Sequence, residues 1–410
     1  MHVLFLTQYF TPEVGATQTR IHEFARACVA AGHRVTVLTE FPNHPHGRIP
    51  PEYRGRVFTR ERMDGFEVLR VWVFARPVKT FWTRLGFYFS FFALASLRGA
   101  FGGGRVDVVF ATSPPLPVGL AGWIIARLRG ARFVLDIRDL WPAAAEALGE
   151  LKSPALVRMA ARLERFLYRH ADRVTAVTRG FVTHISAMVR DPERVSLLSN
   201  GASVDVFDPA RMDPGLRSRL GLGDRFVVTF AGLHGIAQGL DAVLEAAALL
   251  RDRPEVVFCL IGEGPVKSAL VARAEAEGLA NVRFLPPVPL AEITPYLTAA
   301  DALLVPLRRD PIFDTFIPSK LFDFLACARP VILMVGGEAR EVLEAAGGGM
   351  FVEPGDAPGL ADAVLRLAQS DPQERVAMGA RGRTYVLAHF TRQAQGQRLV
   401  ELLGAEVGGR

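Results

Sequence analysis

At 410 residues the chain outgrows a single hydrophobic core, which stops enlarging at about 250–300 residues, so two domains are expected. Half of the residues are hydrophobic, which excludes a largely disordered protein. The formal net charge of +6 favours anionic partners: nucleotides, polyprenyl phosphates, an acidic membrane surface or nucleic acid.

Cys28, Cys259 and Cys327 lie in apolar patterns, too few and too scattered for a disulfide framework or a zinc site, and suit a reducing cytoplasm. Lysine occurs only at Lys79, Lys152, Lys267 and Lys320, so a lysine inside a motif is conspicuous in this arginine-rich chain.

The short apolar run 3–6 turns polar too soon for a secretory signal and predicts an opening strand. A loop over 7–17 holds Pro12 and Gly15. Ile21, Phe24, Ala25, Cys28 and Val29 then recur at helical spacing, Gly32-His33 closes the helix, and strand 35–38 follows. Such strand–loop–helix–strand units build parallel sheets. Gly15 would let a ligand approach the backbone, or serve only a tight turn.

Residues 41–65, rich in Pro, His, Gly and Arg, predict a long loop, and 66–73 a strand. The stretch 81–101 crowds Phe87, Tyr88, Phe89, Phe91 and Phe92 between Arg84 and Arg98, with Trp82 just before them, too short an apolar run to span a bilayer. It reads either as a helix in a membrane interface, beside Arg60, Arg62, Arg70, Arg76 and Lys79, or as a core helix with aromatic packing. Strands 106–110 and 133–137 flank helix 117–128. Arg138-Asp139-Leu140-Trp141-Pro142 ends the second strand, where ligands bind in open parallel sheets, a salt-bridged strand end being the alternative. Helix 156–170 and strands 174–177 and 195–198 complete a first domain, 1–202.

The second domain, 203–390, starts at strand 226–231, whose glycine-rich loop Gly232 to Gly239 leads into helix 240–250 with neither Walker A nor GxGxxG spacing. Strand 256–261 ends in Gly262-Glu263-Gly264-Pro265. Strand 282–285, a short helix 292–299 and strand 302–305 follow, then a loop over 308–316. Glycine-rich turns at successive strand ends favour a phosphorylated ligand. Helices 358–369 and 373–389 come next, and a short final helix 393–403, capped by Thr391, is expected to pack with 391–410 on the first domain.

Between them, 317–330 predicts a helix with Pro318 and Ser319 in its first turn and cap, Leu321, Phe324 and Leu325 as apolar face, and Pro330 as stop. Its N-terminal amides and Lys320 would attract a pyrophosphate. Asp323, one turn on, would accept hydrogen bonds from a ribose diol. A capped surface helix would carry the same residues.

Taken together, the Gly15 loop, Gly32-His33 before Val35-Thr36-Val37, Asn200-Gly201 with Phe207, Gly232 to Gly239, Gly262 to Pro265 and Pro318 to Pro330 resemble the GT-B glycosyltransferases of retaining family 4 over nearly the whole chain. Arg138 to Pro142 with Pro318-Ser319-Lys320 is similar to a subgroup that builds bacterial surface polysaccharides, including N-acetylfucosaminyl transferases. The resemblance implies an α/β fold of two Rossmann-like doubly wound domains facing a central cleft. It also implies a donor site of Gly15, Gly232, Gly235, Glu263, Thr315, Pro318, Ser319, Leu321 and Asp323, a nucleotide-sugar donor, expected to be a UDP-sugar, and no nucleic acid partner. The paired glutamates of the family fall on Thr315 and Asp323, the basic pair of its glycine loop on Leu233 and Gln238, and its cleft histidine on Arg138. Ala143 stands where many relatives have glutamate.

Lys320 is thus the expected diphosphate cation, with Arg138 and Asp139 as further catalytic candidates and no metal expected. The leaving phosphate is expected to take the acceptor proton, with Asp139 as the alternative base. The expected acceptor is a polyprenyl-diphosphate-linked sugar or a glycan, met at the inner face of the cell membrane through 81–101. A nucleotide-sugar 2-epimerase and a non-catalytic nucleotide-sugar-binding subunit are the rival readings.

Overall fold

The computed structural model describes residues 1–408 except positions 14, 45, 46, 79, 150 and 152. Lys79 of the expected basic cluster therefore lies outside the described residues. The chain divides into two compact units, Met1–Ser199 with Arg392–Arg410, and Asn200–Thr391.

The first unit carries β1 (His2–Leu6), β2 (Arg34–Glu40), β3 (Phe58–Met63), β4 (Phe66–Val71), β5 (Val108–Ser113), β6 (Arg132–Ile137), β7 (Arg173–Ala176) and β8 (Val195–Leu197). They form one sheet in the order β3-β4-β2-β1-β5-β6-β7-β8, parallel except for β3 against β4. β1 is buried along its length, as a strand covered on both faces must be, and its run of apolar residues follows from that. The order reverses between β1 and β5, which opens a crevice at the strands' carboxyl ends.

The second unit repeats the plan with β9 (Phe226–Ala231), β10 (Val256–Ile261), β11 (Val282–Leu285), β12 (Ala302–Pro306), β13 (Val331–Met334) and β14 (Gly349–Phe351). All are parallel, in the order β11-β10-β9-β12-β13-β14, with the reversal between β9 and β12. Both units are Rossmann-like and doubly wound.

Several expectations are corrected. Residues 41–65 are not all loop: β3 pairs back on β4 through Asp64 and Gly65, both at positive φ (46° and 84°), the backbone of a two-residue hairpin. β3 shows no apolar face because it is an edge strand with polar Thr59, Arg60, Glu61 and Arg62. Helices Arg179–Ser186 and Gly337–Ala346 and strand β14 were not expected; the latter two open on glycines, which favour neither state intrinsically. The helix holding Lys320 runs Ser319–Ala326 and stops before Pro330, at Cys327 and the left-handed Ala328.

The final helix is not short. It spans Arg392–Gly408 and lies on helix Ala16–Ala30, burying Leu399 and Leu403 among Phe5, Phe24 and Cys28. Gly396 permits this approach, since a Cβ there would sit 2.7 Å from Cβ of Ala27.

Helix Phe81–Ala100, capped reciprocally by Thr80 and Thr83, buries one face and exposes the other. Phe91 and Ala95 are buried, and Phe87, Tyr88 and Phe92 partly so. The opposite face exposes Trp82, Leu85, Phe89 and Leu97 at helical spacing, with Trp82 74 % exposed. Phe91 therefore belongs to the core and Phe89 to the exposed face.

Candidate active site

In the second unit the loops after β9, β10 and β12 converge at the strand-order reversal. Gly232 follows β9 at φ 145°, and a Cβ on it would stand 2.8 Å from Nζ of Lys320. Only glycine leaves that ammonium its place. Nζ of Lys320 donates to Oε1 of Gln238 at 3.2 Å and lies 4.1 Å from the centre of the Phe230 ring. Burial lowers the Lys320 ammonium to about 7, with no carboxylate contributing to raise it.

Ser319 and Lys320 are the first residues of an eight-residue helix. Their amides precede any intrahelical acceptor, as in every helix start. Pro318 is the N-cap, and no side chain caps the helix, so Ser319 does not play the capping role expected of it. The Leu321 side chain is fully buried and its N–H bonds to the Pro318 carbonyl, which makes it core rather than ligand surface. Asp323 is partly buried, and Oδ1 accepts from the Ser203 N–H at 3.4 Å. The Thr315 hydroxyl donates back to the Ile312 carbonyl at 2.7 Å.

The turn after β10 interlocks with the glycine loop. A Cβ on Gly262 would fall 1.9 Å from the Gly232 carbonyl oxygen, and one on Gly264 2.4 Å from that of His234. These two glycines serve packing between turns. Gly235, at φ −102°, has no such requirement. Glu263 is exposed, and bonds from the Gly264 N–H and Lys267 hold its carboxyl below the usual range. Lys267 ties strand ends together by donating to the carbonyls of Gly262 at 2.7 Å and Leu285 at 3.3 Å. His234 is fully buried between Phe230 and Phe284, and burial lowers its pKa.

The first unit fills the corresponding strand ends with paired charge. Arg20 is held by Asp136 through 2.9 and 3.2 Å bonds and by the carbonyls of Leu198 and Ser199, while Asp136 also accepts from Thr175. Arg138, after β6, donates to the Pro114 carbonyl and the Thr17 hydroxyl, and burial lowers its guanidinium to about 10. Asp139 is partly buried, with a charge that reaches Tyr168. Gly15 precedes helix Ala16–Ala30 in extended backbone, φ 170°, which any residue adopts.

Family models agree with this architecture. The glycosyl transferase 4-like domain matches residues 15–201 and the glycosyl transferases group 1 domain residues 225–370. The chain belongs to the family 4 GT-B glycosyltransferases.

Among relatives of this glycosyltransferase, the colanic acid biosynthesis glycosyl transferase WcaI of Escherichia coli K12 is 28 % identical over 84 % of each chain. A GDP-mannose-dependent alpha-(1-6)-phosphatidylinositol monomannoside mannosyltransferase of Mycolicibacterium smegmatis is 29 % identical over 70 % of this chain and 74 % of its own. Anabaena HepE, solved in complex with UDP and glucose, superimposes with a TM-score of 0.73 at 18 % identity, covering 98 % of this chain and 99 % of its own.

The glycosyltransferase also has a carboxyl pair that sequence reasoning missed. Glu40 ends β2, fully buried, and Glu13 lies in the loop after β1. Both bind Asn43, Glu13 through its N–H at 2.7 Å and Glu40 through Nδ2 at 2.6 Å. Burial raises both carboxyls, and for Glu40 the charge of Glu13 adds to it. The sequence signal was slight: one acidic residue closing an apolar strand. Beside the pair, Tyr9, Asn43, Phe74, Arg76, Arg84 and Tyr88 line part of a cavity of about 260 Å³. Among the described residues no helix is long and apolar enough to cross a membrane, and no group of three or more His, Cys, Asp or Glu is arranged to hold a metal ion.

Proposed function

We propose that this glycosyltransferase is a retaining hexosyl- or N-acetylhexosaminyl-transferase of surface-polysaccharide synthesis. It takes its sugar from a UDP-linked donor and its acceptor, a polyprenyl-diphosphate-linked sugar or a glycan, at the cytoplasmic face of the membrane. The observation that carries the reading is Lys320, a cation in the first turn of a helix with no carboxylate partner among the described residues, at the strand-order reversal of the second unit.

In the proposed reaction the bond from the sugar's anomeric carbon to the diphosphate oxygen breaks. The electron pair leaves with the diphosphate, whose charge Lys320 and the amide of Ser319 stabilise without a metal. The acceptor hydroxyl attacks from the same face and passes its proton to the departing phosphate oxygen, with Asp139 as the alternative base. Asp323 and Glu263 serve the nucleoside end, Thr315 the sugar end. The relatives' names support a polysaccharide or lipid-linked acceptor, and the HepE complex supports UDP. The exposed stripe Trp82, Leu85, Phe89 and Leu97, with Arg60, Arg62, Arg76 and Arg84 near it in sequence, supports peripheral membrane contact through 81–101.

The test is incubation of the protein with UDP- and GDP-sugars and a membrane lipid extract, followed by mass spectrometry and NMR of the product. The expected product is a lipid-linked or polymeric glycoside with the donor's anomeric configuration, formed equally in the presence of EDTA. A C2 epimer formed from UDP-N-acetylglucosamine alone would replace the transferase by the epimerase, and an inverted anomer would remove the retaining mechanism.

A further inference from the structure

Beneath the C-terminal end of helix Phe81–Ala100, on the side of the first sheet where β1 and β2 begin, lies a cavity of about 230 Å³ to which the mechanism gives no role. Its floor follows from strand periodicity. His2 and Leu4 of β1, Arg34 and Thr36 of β2, and Glu67 and Leu69 of β4 pair across adjacent strands and present one face of the sheet. Arg60 joins from the edge strand β3, opposite Leu69. Arg98 and Arg129, from the last turns of helices Phe81–Ala100 and Leu116–Arg129, close the cavity.

Four arginines thus face one glutamate. Two are engaged: Arg60 pairs with Glu67, and Arg129 caps the carbonyls of Ala100, Gly102 and Gly104 at a helix end that would otherwise repel an anion. The side chains of Arg34 and Arg98 have no hydrogen-bond or ion-pair partner among the described residues. Thr36 Oγ1 and the His2 ring bond to each other at 2.9 Å within the same floor. The local charge bears on His2, whose pKa is lowered by burial first and then by Arg34 and Arg129.

We infer that this cavity holds the phosphodiester headgroup of an acidic phospholipid. Arginine is the side chain suited to phosphate, since its planar fork binds two oxygens at once. The lipid source, rather than free phosphate, is argued by the exposed apolar side chains that adjoin the lining residues along the chain. Phe101 is 78 % exposed between Arg98 and Gly102, Leu97 is 52 % exposed one residue before Arg98, and Phe58 is 40 % exposed two residues from Arg60. A dissolved anion needs no apolar rim, whereas a headgroup arrives with acyl chains. The inference rests on the membrane contact proposed above and sharpens it, from general attraction to a site with a defined ligand.

The test uses the full-length protein and the double variant Arg34→Gln/Arg98→Gln, whose replaced side chains hold nothing else in place. The first arm titrates dihexanoyl phosphatidylglycerol, monomeric in water, by calorimetry. The wild type should bind it, the double variant at least about tenfold more weakly, dihexanoyl phosphatidylcholine should bind poorly, and equimolar inorganic phosphate should not compete. Equal binding by wild type and variant, or equal binding of the choline lipid, overturns the headgroup site, and competition by phosphate overturns the lipid as its ligand.

The second arm sediments the proteins with vesicles containing phosphatidylglycerol. The control variant Arg158→Gln/Arg162→Gln removes the same charge from an exposed face of helix Pro154–His170. The cavity variant should be lost from the pellet and the control retained. Equal loss of both overturns the site in favour of general charge attraction. A wild type that binds the soluble lipid yet stays in the supernatant leaves the site standing and removes the membrane contact on which it was built.

Discussion

The two units share one plan and treat charge at their strand ends in opposite ways. At the carboxyl ends of the first sheet, buried arginines are paired with carboxylates: Arg20 with Asp136 and Arg70 with Glu61. At the same place in the second sheet, Lys320 meets a neutral amide and an aromatic ring. A buried pair is fixed architecture, because breaking it strands a charge out of water. Lys320 has no carboxylate partner among the described residues, and burial keeps it weakly basic.

Five experiments would break or sharpen that contrast. Asp136→Ala should cost about 3–5 kcal/mol of stability, since it strands Arg20 in the core; urea denaturation measures it, and a small loss would move the first unit's charges out of the architectural class. Lys320→Ala should do the reverse. Turnover should fall by about 10² or more, roughly 3 kcal/mol of barrier, with an unchanged unfolding midpoint. Gly232→Ala should move in the same direction, because its methyl occupies the ammonium's place.

A smaller effect concerns pH. With Lys320 at about 7 in the free protein, a bound diphosphate raises its pKa. Below 7 the lysine is protonated in both states and contributes no pH dependence to the affinity for UDP. Above 7 binding must take up a proton, so affinity falls by up to about tenfold per pH unit, 1.4 kcal/mol, until the bound-state pKa is passed. Titration calorimetry in buffers of different ionisation enthalpy counts the proton, and Lys320→Arg should abolish the dependence. The smallest effect belongs to Glu40→Gln. Burial and the charge of Glu13 push that carboxyl toward its neutral form, which an amide resembles, and a stability change within about 0.5 kcal/mol is expected. A larger loss would mean that Glu40 is charged in the folded protein.

The same contrast explains what the sequence disclosed. Buried parallel strands are legible because covered faces demand continuous apolar runs, and 226–231 and 256–261 are read to the residue. The Lys320 helix start is legible as Pro-Ser-Lys before an apolar face. Edge strand β3 is not, since an edge needs no apolar alternation, although Asp64-Gly65 carries the turn that makes it. The partners of Lys320 are hidden for another reason. Gly232 and Gln238 lie more than eighty residues away in sequence, and it is the adjacency of β9 and β12 that brings their loops together. Among glycines, sequence cannot separate Gly232, which makes room for an ammonium, from Gly262 and Gly264, which make room for another turn.

The helix Arg392–Gly408 sets an order of events during synthesis. The second unit, Asn200–Thr391, is contiguous and can complete itself as it emerges. The first begins earlier but leaves the apolar surface around Phe24 and Cys28 uncovered until Leu399 and Leu403 are made. The unit started first is therefore finished last, and it passes the interval with an adhesive patch open to solvent. A chain stopped after Thr391 should yield a folded second unit joined to a first unit that binds chaperones or aggregates, and supplying 392–408 as a separate peptide should rescue it.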